Sequence, residues 1–124
     1  MEVPRKKWES VLVITAPWEK LDMSTTADFK DAMTQAIAGE TSVVLEMGNV
    51  QFVDSSGLGA LLSLLRELSG RGGDLKLSEV QKRVRAMFEL VRMHRILTVY
   101  ETTAEAVAAF QTTDDGNPFP TPVS

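Results

Sequence analysis

Short, almost continuous apolar runs alternate along the chain with longer segments in which apolar residues recur every three or four positions. Continuous runs are typical of strands buried on both faces, and the wider spacing is typical of amphipathic helices. The runs predict strands over residues 10–15, 42–47, 75–77 and 96–100. A further strand over residues 2–7 contains Pro4 and adjacent basic residues, which predicts an antiparallel position at the sheet edge.

Four helices are predicted from the apolar spacing and from residues that begin or end helices. The first begins at Thr25, which forms a capping box with Asp28, and it ends before Gly39. The second carries regularly spaced leucines from Leu58 onward and ends at Gly70. The third and fourth are predicted over residues 81–93 and 103–110.

Strands and helices therefore alternate through the whole chain, which predicts an α/β fold with right-handed crossovers. We expect a single domain over residues 1–111, built on a mostly parallel sheet of four to five strands with an antiparallel N-terminal edge strand and about four helices. From residue 112 the chain is rich in proline and has no periodicity. Residues 112–124 are therefore predicted to be a disordered tail.

Composition narrows the classes of partner and of chemistry. The net charge of −4 argues against direct binding to nucleic acid. Because the chain has no cysteine, disulfides, thiolate nucleophiles and thiolate metal sites are excluded, and we expect no metal and no cofactor. No apolar run approaches the roughly 20 residues of a membrane span, and the basic N-terminus is not followed by a signal-peptide core. We therefore expect a cytoplasmic protein without a membrane partner.

The junction between an apolar run and the second helix carries small polar residues. Asp54, Ser55 and Ser56 lie there, at the predicted carboxyl end of a strand, with Gly57 and Gly59 directly behind them. Hydroxyls beside the unpaired N–H groups of a helix start suit a phosphate, either bound as a ligand or attached to a serine. The glycines allow another backbone to approach. An Asp before a helix is also commonly a simple cap, so both interpretations stay open.

Enzyme sites of this fold class each require a motif that the chain lacks. Residues 57–59 supply two glycines of a dinucleotide fingerprint but not the third, and no Gly-Lys-Ser/Thr ending supports a nucleotide P-loop. A hydrolase elbow requires Gly-x-Ser-x-Gly with a partner histidine, whereas His94 lies at a helix end. A phosphate-receiver domain requires a pair of acids for Mg²⁺, and residues 15–18 contain none. We therefore expect no enzyme.

Two further groups of residues are predicted to have structural roles. A basic cluster around the third helix is expected to be a solvated face. It consists of Lys82, Arg83, Arg85, Arg92 and Arg95. Four methionines are expected to fill gaps in the core. They are Met23, Met33, Met87 and Met93.

Residues 52–59 resemble the signature of STAS domains, specifically those of bacterial anti-sigma factor antagonists. The resemblance extends from about residue 7 to residue 110, and it includes the Leu21-Asp22 pair before the first helix. One departure is the segment before Leu21, where the family usually has a glycine and this chain is expected to expose Trp18.

The resemblance implies a partner switch. Such proteins bind a GHKL-type serine kinase that is also an anti-sigma factor, which phosphorylates the serine after the Asp, here Ser55. A PP2C-type phosphatase reverses the modification. The resemblance further implies a partner-binding loop around this serine. The loop would comprise Asp54, Ser56, Gly57, Leu58, Gly59 and Asp22.

Two alternatives stay open at this point. Some STAS domains serve larger assemblies, such as stressosomes or complexes that transport lipids or anions, and in this alternative the chain is a scaffold subunit that is never phosphorylated. A small-ligand binder is a third hypothesis, in which the start of the second helix holds an anion or a nucleotide.

Overall fold

Strands and helices alternate along the computed structural model, which describes residues 2–114. The strands are β1 (Arg5–Trp8), β2 (Val11–Thr15), β3 (Lys20–Leu21), β4 (Ser42–Glu46), β5 (Phe52–Val53), β6 (Asp74–Ser78) and β7 (Thr98–Tyr100). The helices are α1 (Thr26–Ala36), α2 (Ser55–Ser69), α3 (Lys82–Leu90) and α4 (Thr103–Asp114), with a 3₁₀ turn at Met93–Arg95. The prediction of four helices between short strands is confirmed.

The main sheet has five strands in the order β1-β2-β4-β6-β7. The strand β1 pairs antiparallel with β2, and the other neighbours pair in parallel, as the sequence predicts. One face of the sheet packs against α1, α2 and α3, and the opposite face packs against α4. Successive residues of β2 point to opposite faces, with Leu12 in the larger core and Val13 under α4. Burial on both faces explains why this strand is apolar throughout.

The methionine predictions are confirmed for one residue and wrong for another. Met33, on the inner face of α1, is fully buried. Met87 and Met93 are partly buried and pack against the same core. Met23 is 80% exposed, because it lies in the loop between β3 and α1, outside the apolar stripe of the helix.

Two predictions around α1 are wrong. Thr25 is the N-cap residue, but its side chain makes no capping bond to the helix. The Thr25 hydroxyl instead donates to the Lys20 carbonyl oxygen at 2.9 Å and accepts from the Asp22 amide at 3.0 Å. Trp18 was expected to be exposed and is half-buried, since its ring meets the Phe29 ring edge-on with centroids 5.2 Å apart.

The ends of α3 and α4 differ from the predicted ranges. The third helix ends at Leu90 rather than at residue 93, because Arg92 has a left-handed backbone with φ of 64°. The fourth helix continues to Asp114, beyond the predicted end at residue 110. Most of the predicted tail, residues 115–124, lies outside the described residues, so its disorder stays a prediction.

The strand β3 was not predicted, and it pairs in parallel with β5 in a separate two-stranded sheet. The main-sheet strand β4 ends at Glu46, and Asp54 follows β5 instead. The junction before α2 therefore lies beyond a strand of the small sheet, not at the end of a strand of the main sheet. Strands of two residues are too short to produce a periodic signal.

Within residues 2–114, no helix has the combination of length and hydropathy needed to cross a membrane.

Candidate functional site

Asp54 connects the start of α2 to the loop that follows β3. Its carboxylate accepts a hydrogen bond from the Gly57 amide at 3.0 Å and another from the Met23 amide at 3.3 Å. Its own amide donates to the Leu21 carbonyl oxygen at 3.1 Å. Asp54 has an extended backbone and is the N-cap of α2, which satisfies one of the free amides of the first turn. We call these three hydrogen bonds the Asp54 clasp.

Gly57 lies where the loop after β3 crosses the first turn of α2. It is buried, and a Cβ atom added to it would lie 2.2 Å from the Leu21 carbonyl oxygen and 2.9 Å from the Leu21 Cβ. The sequence suggests that another backbone approaches this glycine, and in the structure that backbone is Leu21 of the same chain. A contact between Gly57 and a partner protein stays a prediction.

Leu58 and Gly59 follow on different sides of the helix. Leu58 is half-buried and packs against the core between the sheet and α1–α3. Gly59 is exposed, and a Cβ added there would meet no atom within 4 Å. Of the two glycines in the motif, only Gly59 leaves open space at the surface.

Ser55 is the first residue of α2 and is exposed, whereas Ser56 is half-buried. Among the residues whose side chains are described, the Ser55 hydroxyl has no hydrogen-bond partner. Of the first amides of α2, that of Gly57 is bound by Asp54, and those of Ser55 and Ser56 have no acceptor within the helix, so these two are available to an anion placed there. The Asp54 carboxylate accepts hydrogen bonds from two backbone amides, one on each oxygen, which hold its orientation.

Asp22 lies in the loop that the clasp holds. Its carboxylate accepts from the Ser24 hydroxyl at 2.6 Å and from the Ser24 amide at 3.0 Å. The bond from the Ser24 hydroxyl lowers the pKa of Asp22 below its ordinary 3.8, although burial opposes the shift, and the Ser24 amide and the charge of Lys20 lower it further. Asp22 is therefore ionised at neutral pH, on the segment that covers the start of α2.

The structure joins the Asp22 loop to Asp54 and Ser55 through the Asp54 clasp, and the resemblance implies the same grouping. It adds two exposed apolar residues that the sequence did not assign to this site, namely Met23, which was predicted to fill the core, and Phe52, which is 50% exposed. Met23 is part of the clasp through its amide, and Phe52 precedes Asp54 by two residues. No periodic signal marked either residue, since one lies in a loop and the other in a strand of two residues.

A second polar cluster lies at the carboxyl ends of main-sheet strands, where α/β proteins commonly bind ligands. The Glu46 carboxylate accepts hydrogen bonds from the hydroxyls of Thr15, at 2.6 Å, and Thr103. The Thr103 hydroxyl also lies 2.9 Å from the Ser78 hydroxyl. Because these groups satisfy one another, the cluster joins α4 to the sheet rather than offering free ligand atoms.

The described part of the chain contains no evident set of metal ligands. No group of three or more His, Cys, Asp or Glu side chains among those residues is placed to hold a metal ion. His94 belongs to the 3₁₀ turn after α3. We call the surface around Ser55, Asp54, Asp22 and Met23 the Ser55 surface. It presents a free hydroxyl at a helix start, next to carboxylates held by hydrogen bonds and to exposed apolar side chains.

Comparison with known proteins shows a family whose model matches most of the chain. The family model of the STAS domain matches residues 3–106. The anti-sigma F factor antagonist of Paenibacillus polymyxa is 25% identical over 113 residues, which cover 90% of this chain and 96% of that protein. A crystal structure of a Thermotoga maritima protein, provisionally named an anti-sigma factor antagonist, is 25% identical with a TM-score of 0.77 and covers 86% of this chain and 92% of that one.

The Bacillus anti-sigma factor antagonist SpoIIAA has been solved in unphosphorylated and phosphorylated forms. The unphosphorylated form is 21% identical with a TM-score of 0.61, covering 86% of this chain and 94% of that one. The phosphorylated form is 22% identical with a TM-score of 0.63, covering 87% and 98%. At this level of sequence identity, the likeness shows that this chain shares the fold of both forms of SpoIIAA.

Proposed function

The chain belongs to the STAS domain family, and from that premise we propose that it is an anti-sigma factor antagonist controlled by phosphorylation of Ser55. In its unphosphorylated form it binds an anti-sigma factor that is also a GHKL-type serine kinase. Phosphate on Ser55 ends that binding, and a PP2C-type phosphatase restores it. The chain itself acts by binding and has no catalytic activity.

One observation carries this proposal, namely the state of the Ser55 hydroxyl. It is exposed, it has no hydrogen-bond partner among the described side chains, and it begins α2. Its neighbour Asp54 is fixed by two amides, so the hydroxyl is presented on a rigid backbone rather than on a mobile loop. A kinase can therefore reach this oxygen without unfolding the segment around it.

The charge of a phosphate explains how a modification here acts as a switch. It adds about −1.5 to −2 charges at neutral pH. The Asp22 and Asp54 carboxylates on the same surface already carry negative charge, so a partner placed against them meets a strongly anionic surface. The start of α2 stabilises the phosphate within the domain. Binding is thus lost while the fold is kept, in agreement with the shared fold of the two forms of SpoIIAA.

The direct test uses candidate GHKL-type anti-sigma kinases from the genome that encodes this chain. Each purified kinase is mixed with the chain, and its affinity is measured by calorimetry without ATP. ATP is then added, and intact mass with peptide mapping locates any phosphate. We expect one kinase to bind and to add a single phosphate on Ser55.

Two variants make the test specific. Ser55→Asp places a negative charge at the phosphate position and should weaken binding at least tenfold. Ser69→Asp makes the same change at the other, exposed end of α2 and should leave the affinity within about twofold, since surface substitutions rarely matter more. If Ser55→Asp binds as well as the wild type and no kinase modifies Ser55, the switch is contradicted and the STAS scaffold alternative is favoured.

A further inference from the structure

A surface groove runs between the small sheet and α3, next to the Ser55 surface. Its larger part is a cavity of about 400 Å³, lined by Glu19, Lys20, Asp22, Gln51, Phe52 and Arg83. A smaller cavity of about 150 Å³ continues it along α3, and it is lined by Gln51, Phe52, Val53, Arg83, Val84 and Met87. Both parts share Gln51, Phe52 and Arg83, so these three residues lie at the centre. We call it the Phe52 groove.

We propose that the Phe52 groove is the docking site for a segment of the anti-sigma partner that carries an apolar side chain beside a carboxylate. The inference rests on the proposed function, because its occupant is the protein that Ser55 controls. It adds a second area of contact to the Ser55 surface and specifies the chemistry of the partner segment.

Phe52 is the apolar residue at the centre of the groove. It is half exposed although its neighbour Val53 is buried, because successive residues of a strand point to opposite sides. An exposed aromatic ring in a concave surface supplies large contact area, and aromatic residues dominate the binding energy of protein interfaces. Met23, which is more exposed still, adds an apolar side chain on the Ser55 side.

Arg83 is the charged residue at the centre of the groove. It is exposed and has no carboxylate within ion-pair distance among the described residues. The larger cavity is also lined by Lys20 and by the carboxylates of Glu19 and Asp22, and the charge of Lys20 acts on Asp22. A guanidinium binds a carboxylate through two parallel hydrogen bonds, so a free arginine beside an exposed ring suits an acidic residue of the partner.

The groove is continuous with the Ser55 surface through the backbone. The strand β5 carries Phe52 and leads directly into Asp54 and Ser55. Asp22 lines the groove and lies in the loop that the Asp54 clasp holds. A partner that contacts Ser55 therefore reaches the groove without crossing other structure. A carboxylate of the partner, bound near Arg83, is also repelled by a phosphate on Ser55, which links this contact to the switch.

Leu90 and Arg95, at the end of the molecule away from Ser55, serve as controls for substitutions of Phe52 and Arg83. The helix α3 runs from the end of β6 back to the start of β7, so its last residue, Leu90, lies at the amino end of the parallel strands, opposite Ser55. Leu90 is 83% exposed, and Arg95 in the following 3₁₀ turn is exposed as well. They match Phe52 and Arg83 in chemical type but lie outside the groove.

The experiment measures the affinity of the full chain for the kinase identified with the wild type, by calorimetry. Phe52→Ala and Arg83→Glu should each weaken binding by about 10-fold to 100-fold, the range of interface hot spots. Leu90→Ala and Arg95→Glu should stay within about twofold. Phe52→Tyr keeps the ring and should bind nearly as well as the wild type, which separates loss of the anchor from loss of folding. Thermal melting of each variant provides an independent check of the fold.

The outcomes distinguish this inference from the proposed function. If Ser55→Asp abolishes binding while Phe52→Ala and Arg83→Glu bind like the controls, the groove inference is overturned and the switch stands. If no kinase binds the wild type, the proposed function is contradicted, and the groove inference, which names that kinase as the occupant, is overturned with it. Restoration of Arg83→Glu binding by a Glu→Arg or Asp→Arg change in the partner would identify the paired carboxylate. If no acidic residue of the partner restores it, the carboxylate contact is wrong.

Discussion

Replacing Gly57 by alanine tests whether this glycine serves the fold or only the surface. The added Cβ would lie 2.2 Å from the Leu21 carbonyl oxygen, well inside any contact that real Cβ atoms make. The obstacle is backbone, which cannot rotate away as a side chain does. The loop after β3 must therefore move away from α2, and the bond from the Asp54 amide to Leu21 stretches or breaks.

The magnitude follows from two opposing effects. Overpacking of this kind costs about 1–3 kcal/mol, and the loss of one hydrogen bond adds about 1 kcal/mol. Alanine is favoured over glycine in a helix by about 1 kcal/mol, which offsets part of that cost. We expect Gly57→Ala to destabilise the domain by about 2 kcal/mol, or to lower the melting temperature by about 8 °C.

Gly59→Ala is the matched control, two residues along the same helix. No atom lies within 4 Å of its added Cβ, so only the helix preference remains. It should stabilise the domain by up to about 1 kcal/mol, raising the melting temperature by up to about 4 °C. Urea and thermal unfolding of both variants measure the contrast. If Gly57→Ala melts at or above the wild-type temperature, the close packing of Leu21 on α2 is refuted.

Three further predictions concern the same region and the core. Asp54→Ala should cost about 1 kcal/mol from the lost cap, and it should speed amide exchange at Met23; unchanged exchange there would contradict the clasp. The lowered pKa of Asp22 means that its stabilising effect is complete above about pH 4 and is lost as the pH falls through its folded value. The Ser24 amide shift, followed by NMR, should therefore titrate below pH 3.8, and a higher midpoint would refute the bond. Met33→Ala should cost about 2–5 kcal/mol but Met23→Ala less than about 0.5 kcal/mol, and equal effects in urea unfolding would contradict their burial.

The sequence was sufficient for the order of elements and for the type of sheet. Strands such as β2 and β4 are continuously apolar because both faces are covered, and α2 shows the three-to-four spacing of one buried face. These are properties of local segments, so they are visible in a single sequence. The signature over residues 52–59 also indicated the family, and the placement of Ser55 at a helix start follows from it.

The burial and hydrogen bonding of residues that depend on distant parts of the chain could not be predicted from local patterns. Trp18 is half-buried only because Phe29 packs against it, and Met23 is exposed only because its loop crosses α2 at the surface. Thr25 has the right sequence position for a cap, yet its hydroxyl bonds to the loop before it. Each outcome depends on competition between local and tertiary contacts, which a sequence pattern does not report.

The division is clearest at the motif itself. From the sequence alone, Gly57 and Gly59 have the same meaning, as small residues that allow a close approach. The tertiary structure separates them, because Leu21 lies over one and open solvent over the other. The pairing of β3 with β5 and the bond from Met23 to Asp54 join segments about 31 residues apart in the chain. Periodicity records which side of a segment is buried, whereas the identity of the neighbour is decided only when the chain folds.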